Sequence, residues 1–196
     1  MRFHLVAAAF AVILGAAGPA PAPGAAERPS IMPTRDAVVG YHLAPATGEA
    51  IDVRVSFQAG GRALRMDLPD HSFMVATPGD KRLVLVVPLE QTAMELPWTD
   101  GPQPLFLLDE RMRFTRKAEA TVAGQRCTLW DAVLERTRAT VCVTADGVLL
   151  RSQSQDPMGR RNLIEAFAIR YQALVESDFA VPAEFDRLNA VAKPAP

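Results

Sequence analysis

From Asp36 to Leu174 apolar side chains recur at almost every second position, and this period limits what the chain can fold into more than any other feature. Ile51, Val53, Val55 and Phe57 alternate with Asp52, Arg54 and Ser56, and Leu64, Met66 and Leu68 alternate with Arg65 and Asp67. A period of two places one set of side chains against a core and the other in water, the signature of a half-buried strand in an antiparallel sheet. Val39, Tyr41 and Leu43 read the same way, as do Thr92, Met94 and Leu96, then Met112 and Phe114. A last long strand runs from Leu163 to about Leu174, with Phe167, Ile169 and Tyr171 expected on one face. Leu83 to Val87 is apolar throughout, which calls for a strand covered on both faces. Turn residues separate these runs at short spacing: Pro45 to Gly48, Gly60-Gly61, Pro69-Asp70, Pro78-Gly79-Asp80 and Pro88. About 10–11 strands with hairpin connections, and no helix of ordinary length, predict an all-β fold. A single antiparallel sheet of that many strands does not stay flat, so the expected architecture is one strongly curved sheet forming a half-barrel, with a β-sandwich as the competing arrangement.

The stretch from Val122 to Ser152 holds both cysteines and reads as three consecutive antiparallel strands. Folded between Leu134 and Glu135, it sets Cys127 opposite Cys142, Leu129 opposite Thr140 and Asp131 opposite Arg138. Trp130, Val141 and Val143 then share the other face. A slip of one residue would exchange the faces. Leu-Glu is poor chemistry for a two-residue turn, so a looser loop through Arg136 is expected, whereas Asp146-Gly147 is a strong hairpin signal. The register predicts a Cys127–Cys142 disulfide, with two buried free thiols as the alternative.

Compartment supports the disulfide. Residues 1–26 have a charged Arg2, a short apolar run from Leu5 to Ala17 and a small-residue end at Gly24-Ala25-Ala26, the pattern of a cleaved export signal. An exported, periplasmic protein can keep a disulfide. No cysteine stands at the cleavage point, so the mature protein is expected to be unlipidated and not membrane-spanning. About 170 residues remain, enough for one domain with a full core. The domain is placed at 27–188, followed by a small-residue, proline-rich disordered tail at 189–196. Removing Arg2 from the 21 Lys and Arg leaves twenty against 22 Asp and Glu. That near balance, with no charge run, argues against nucleic acid and anionic membrane surfaces as partners.

No catalytic constellation stands out, and neither a cofactor nor a metal is expected. Of the three histidines, His42 and His71 lie in the mature chain, and neither has metal-ligand spacing; HExxH, CxxC, GxSxG and a glycine-rich phosphate loop are all missing. Asp67, Asp70 and His71 read as a polar turn. What remains is an apolar inner face collecting Phe57, Met66, Met94, Trp130, Val143, Phe167 and Tyr171. It is either plain core or the wall of a ligand groove. Trp98 to Glu110 interrupts the alternation and is the one lid candidate, with a turn or two of helix at residues 104–108. Phe179 to Pro182 and Phe185 look like an apolar clasp.

Several stretches resemble the periplasmic lipoprotein-carrier superfamily, the LolA/LolB-like half-barrels. They are Pro33-Thr34-Arg35-Asp36, Gly61 to Asp67, Val122-Ala123-Gly124 before Cys127, Thr144 to Val148, and Phe179-Ala180-Val181-Pro182. The resemblance covers most of the mature chain as a pattern of strands and turns. It implies a curved sheet whose apolar concave face, under short lids, holds acyl chains. Residues 27–34 are too short and proline-bound for the helix that precedes the first strand in the carriers, and no ligand arginine is carried over. The expected function is therefore a soluble periplasmic, non-enzymatic binder of lipid, lipoprotein acyl chains or another apolar ligand. The alternative is an envelope interaction module with a filled core that docks a protein partner.

Overall fold

The structure is a computed structural model that describes residues 27–98, 106, 108–135, 137–155 and 158–189. The expected export signal at residues 1–26, most of the expected tail at 189–196 and most of the helical turn expected at residues 104–108 lie outside the described residues. Twelve strands are described: β1 (Ala37–Ala44), β2 (Ile51–Phe57), β3 (Leu64–Asp67), β4 (Phe73–Thr77), β5 (Arg82–Val87), β6 (Thr92–Leu96), β7 (Arg113–Val122), β8 (Gln125–Leu134), β9 (Thr137–Val143), β10 (Leu149–Gln155), β11 (Arg161–Tyr171) and β12 (Asp186–Asn189). All join one open sheet in the order β12-β6-β5-β4-β3-β2-β1-β11-β10-β9-β8-β7. The fold is two antiparallel meanders, β1–β6 and β7–β11, joined where β1 pairs with β11. β12 exceeds the strand count read from the sequence. It has only four residues and adds to β6 in parallel, so no hairpin signal announces it.

The sheet curls toward one face. Val39, Val55 and Met66 of β1–β3 share a continuous buried cluster with Val122, Cys127 and Cys142 from the far end of the sheet. β7 also approaches β11 although three strands lie between them, which a flat sheet with strands about 4.8 Å apart would forbid. This face is therefore the concave one. The segment linking β6 to β7 joins strands near opposite edges, and Phe106 within it packs on Tyr41 of central β1 with ring centroids 4.7 Å apart. The expected lid thus contributes to the concave core.

The convex face of β3–β6 has its own cover. Phe73, Val75, Val84, Val86 and Ala93 cluster with Phe179, and Leu174, Val181 and Phe185 pack alongside. The C-terminal strap after β11 is thus the clasp read from the sequence, and it explains why β5 is apolar on both faces.

The β8–β9 register differs from expectation by two residues. Leu129 lies opposite Cys142 and Asp131 opposite Thr140, with Leu134 opposite Thr137. Glu135 takes the left-handed conformation that a tight two-residue connection requires, at φ 52°. A shift of two preserves the faces, so Cys127 and Cys142 still meet, diagonally, with Cα atoms 5.4 Å apart in a disulfide. The expected Asp131–Arg138 pair is not made; Asp131 pairs with Lys117 on β7 at 2.7 Å instead.

Candidate functional site

Sheet register divides the seven residues assigned to the inner face. Phe57 and Met66 are buried in the concave cluster, Tyr171 packs against it, and Met94 lies on the same face through its pairing with Leu85. Trp130 and Val143 face the other way, into a cluster with Val141 and Leu149 that Ile31, Leu108 and Met112 cover. The wrap of this strand pair, which gives it two buried faces, is not visible in the alternation. Phe167 is on the convex face. A bulge in β11, between the pairs Gly40–Ala168 and Tyr41–Ala166, inserts Phe167 as an extra residue and breaks the period of two.

What the concave face does present is a continuous apolar row. Val55, Met66, Met74, Leu85, Met94 and Leu188 are neighbours across β2, β3, β4, β5, β6 and β12. Burial falls along it: Val55 is fully buried, Met74, Leu85 and Met94 are half-buried, and Leu188 is 46% exposed. The buried end of the row joins the cluster that also holds Val122, Cys127 and Cys142, and the exposed end lies on β12 at the sheet's edge. Three methionines in one row give a surface of flexible, polarizable side chains that adapts to irregular apolar shapes. Met74 and Leu85 lay in runs legible as strands, Leu188 did not, and the alignment of all three required the register.

The inner face is held in place by a polar hub at the start of β1. The Thr34 backbone N–H donates to the Asp146 carbonyl at 2.8 Å, and Arg35 donates to the Asp146 carboxylate at 2.9 Å. Arg35 also stacks over the Tyr171 ring at 3.9 Å. Burial pushes the Asp146 carboxyl up, but hydrogen bonds from Thr144, Arg35 and Tyr171 outweigh it and hold it below its ordinary value. Asp36 accepts from the backbone N–H groups of Leu174 and Ala59, at 2.8 and 2.7 Å, and those bonds likewise lower its carboxyl. Gly147, at φ 89°, allows the turn to pass under the lead-in, where a Cβ would collide with the Met32 carbonyl. Two of the stretches carrying the sequence resemblance, Pro33 to Asp36 and Thr144 to Val148, are therefore one structural unit.

The polar groups weighed for catalysis are dispersed. His42 pairs with Asp52 at 2.8 Å on the exposed side of β1–β2. Asp67 takes Arg65, Asp70 takes Ser72, and His71 sits in the intervening turn at φ 67°. Among the described residues no group of three His, Cys, Asp or Glu is arranged to hold a metal ion, and no helix is long and apolar enough to cross a membrane.

No protein-family model matches the sequence, and no curated protein matches it. Solved structures do. An uncharacterized conserved protein from Thermus thermophilus superposes with a TM-score of 0.58 at 13% identity, covering 80% of this chain and 91% of its own. MucB superposes with a TM-score of 0.56 at 12% identity over 81% of this chain, which spans only 61% of the MucB chain. MucB has also been solved in complex with MucA of Pseudomonas aeruginosa, where the TM-score is 0.53, the identity 13% and the coverage 78% of this chain and 57% of that one. The strongly curved open sheet that the lipoprotein-carrier resemblance implied is the fold this chain adopts, and it shares that fold with MucB and the Thermus protein.

Proposed function

We propose that this is an exported periplasmic protein that binds or carries a lipid or another apolar ligand on its concave face, without catalysing a reaction on it. The observation that carries the reading is the half-open row Met74, Leu85, Met94 and Leu188, an apolar surface that neither the rest of the sheet nor the strap fully covers. Lipoprotein acyl chains fit such a surface. Each methylene removed from water there contributes about 0.8 kcal/mol, so a chain of ordinary length is held without any specific polar contact. A second reading, docking of an envelope protein, is supported by MucB, which shares the fold and was solved in complex with MucA.

The test is native mass spectrometry of the mature protein recovered from the periplasm, with solvent extraction of whatever accompanies it. A lipid in fixed ratio is the expected result. Met94→Asp should then lower uptake of a fluorescent fatty acid at least about tenfold while leaving the fold intact, since Met94 is only half-buried. A clean protein mass together with no uptake of the fatty acid would refute the reading.

A further inference from the structure

Of the 7 methionines in the sequence, Met66, Met74 and Met94 fall on the apolar row. Met66 and Met74 are directly opposed on β3 and β4, and only Leu85 of β5 separates Met74 from Met94 of β6. Directly opposed side chains stand about 5 Å apart at Cβ, so the first two thioethers are near neighbours. Leu85 and Leu188 belong to the same row without sulfur, so filling it does not by itself require methionine. Exposure is graded: Met66 is buried, Met74 and Met94 are half-buried, and Met158 in the β10–β11 turn is 79% exposed. Both cysteines of the sequence are joined in the Cys127–Cys142 disulfide, so the thioethers are the only reduced sulfur in the chain.

A thioether reacts with a two-electron oxidant such as hydrogen peroxide through a sulfur lone pair. The sulfur attacks one peroxide oxygen, the O–O bond breaks and an S–O bond forms. The proton on the transferred oxygen passes to the departing hydroxide, which leaves as water. Sulfur loses two electrons and the peroxide gains them. The product, methionine sulfoxide, is polar, and methionine sulfoxide reductases return it to the thioether. On this row the new oxygen meets no donor side chain, because the cross-strand neighbours of Met74 and Met94 are Met66, Leu85 and Leu188. Water satisfies the oxygen while the row is open. An apolar ligand laid over it would remove that water and leave the acceptor unpaired, which weakens binding.

We infer that Met74 and Met94 form a reversible oxidation site, and that their sulfoxides release the apolar ligand from the concave face when peroxide is present. Such a site regulates the ligand surface proposed above and rests on that reading. The buried end of the row, Val55 and Met66, belongs to the concave core and stays reduced, so the switch acts on the ligand surface and leaves the fold in place.

The test is treatment of the mature protein with hydrogen peroxide. Sulfoxide at each methionine is read by peptide-mapping mass spectrometry, and affinity for a fluorescent fatty acid by titration. Met158 should oxidise first, Met74 and Met94 next, and Met66 last. Affinity should fall at least about fivefold once Met74 and Met94 are oxidised, and recover after treatment with the reductases for both sulfoxide epimers. The thermal midpoint should stay within a few degrees of the untreated protein. In a Met74→Leu/Met94→Leu variant, compared with its own untreated state, the fall should vanish although Met32, Met112 and Met158 remain; in Met158→Leu it should persist. The inference is overturned if Met74 and Met94 stay reduced until the protein unfolds, or if the double variant is as sensitive as the parent. It is also overturned if affinity is lost only together with the folded sheet. Unchanged affinity after oxidation would remove this site's role and leave the ligand reading standing, whereas no uptake by the untreated protein would remove both.

Discussion

Tyr41→Phe tests what ties the two meanders together. Tyr41 is fully buried in β1, and its hydroxyl donates to the Leu149 carbonyl of β10 at 2.5 Å, 108 positions along the chain. β11 lies between these strands in the sheet, so the bond bridges the β1–β11 seam rather than repeating a ladder contact. The phenylalanine keeps the ring and its 4.7 Å contact with Phe106, so no cavity larger than a hydroxyl opens. What is lost is one hydrogen bond, and a buried carbonyl is left one partner short, together worth about 1–3 kcal/mol. Burial raises the tyrosine far above its ordinary value of 10.0, so the hydroxyl remains a donor at any working pH and the loss should be the same from about pH 6 to pH 9. Urea unfolding followed by tryptophan fluorescence would read the change as a lower midpoint at unchanged slope. In thermal unfolding, each 1 kcal/mol corresponds to about 2–4 °C in a domain of this size. A midpoint equal to or above that of the parent would refute the reasoning, because it would mean that the seam is held by ladder bonds and packing alone.

Replacing Cys127 and Cys142 together by serine should cost about 3 kcal/mol, the value for reopening a loop of 15 residues, and reduction of the parent should match it in the same urea assay. Phe179→Ala removes the strap's buried anchor and should cost about 3–5 kcal/mol, with amide exchange accelerating first at residues 174–189. Asp36→Asn tests the hub by pH. The folded carboxyl is held below its ordinary value of 3.8, so its stabilisation is present above that value and lost as pH falls through the folded one; the variant should flatten the acid limb of the thermal midpoint-versus-pH curve, and an unchanged limb would exclude Asp36 as a contributor.

The meanders were legible because β1, β2 and β3 carry their faces in the local alternation. The faces at Cys127 and Trp130 were legible for the same reason, and they survived a two-residue error in register because parity survives it. What the alternation could not reveal was anything that breaks parity or acts at long range. The β11 bulge moves Phe167 across the sheet through one inserted residue. β8 and β9 bury both faces because the N-terminal lead-in and Leu108 cover the second one, and nothing within those strands says so. The apolar row from Met66 to Leu188 depends on four pairings, one of them to a short parallel strand from the far end of the chain. Pro33 to Asp36 read as a lead-in, while its bonds reach Ala59, Asp146 and Leu174.

The strand order also sets a timetable for a chain that is made, and threaded through any pore, from its N-terminus. β1 emerges first, and β2 to β6 add to one side of it in succession, each within a few residues of the last. The other side of β1 waits until β11 arrives, after every strand but the last has been made. During that interval the nascent sheet carries a bare central edge and an uncovered convex face, both of which invite other chains. A protein shortened before Arg161 would retain ten of the twelve described strands and still lack β11 to close β1, so its failure should appear as aggregation rather than as a smaller folded unit.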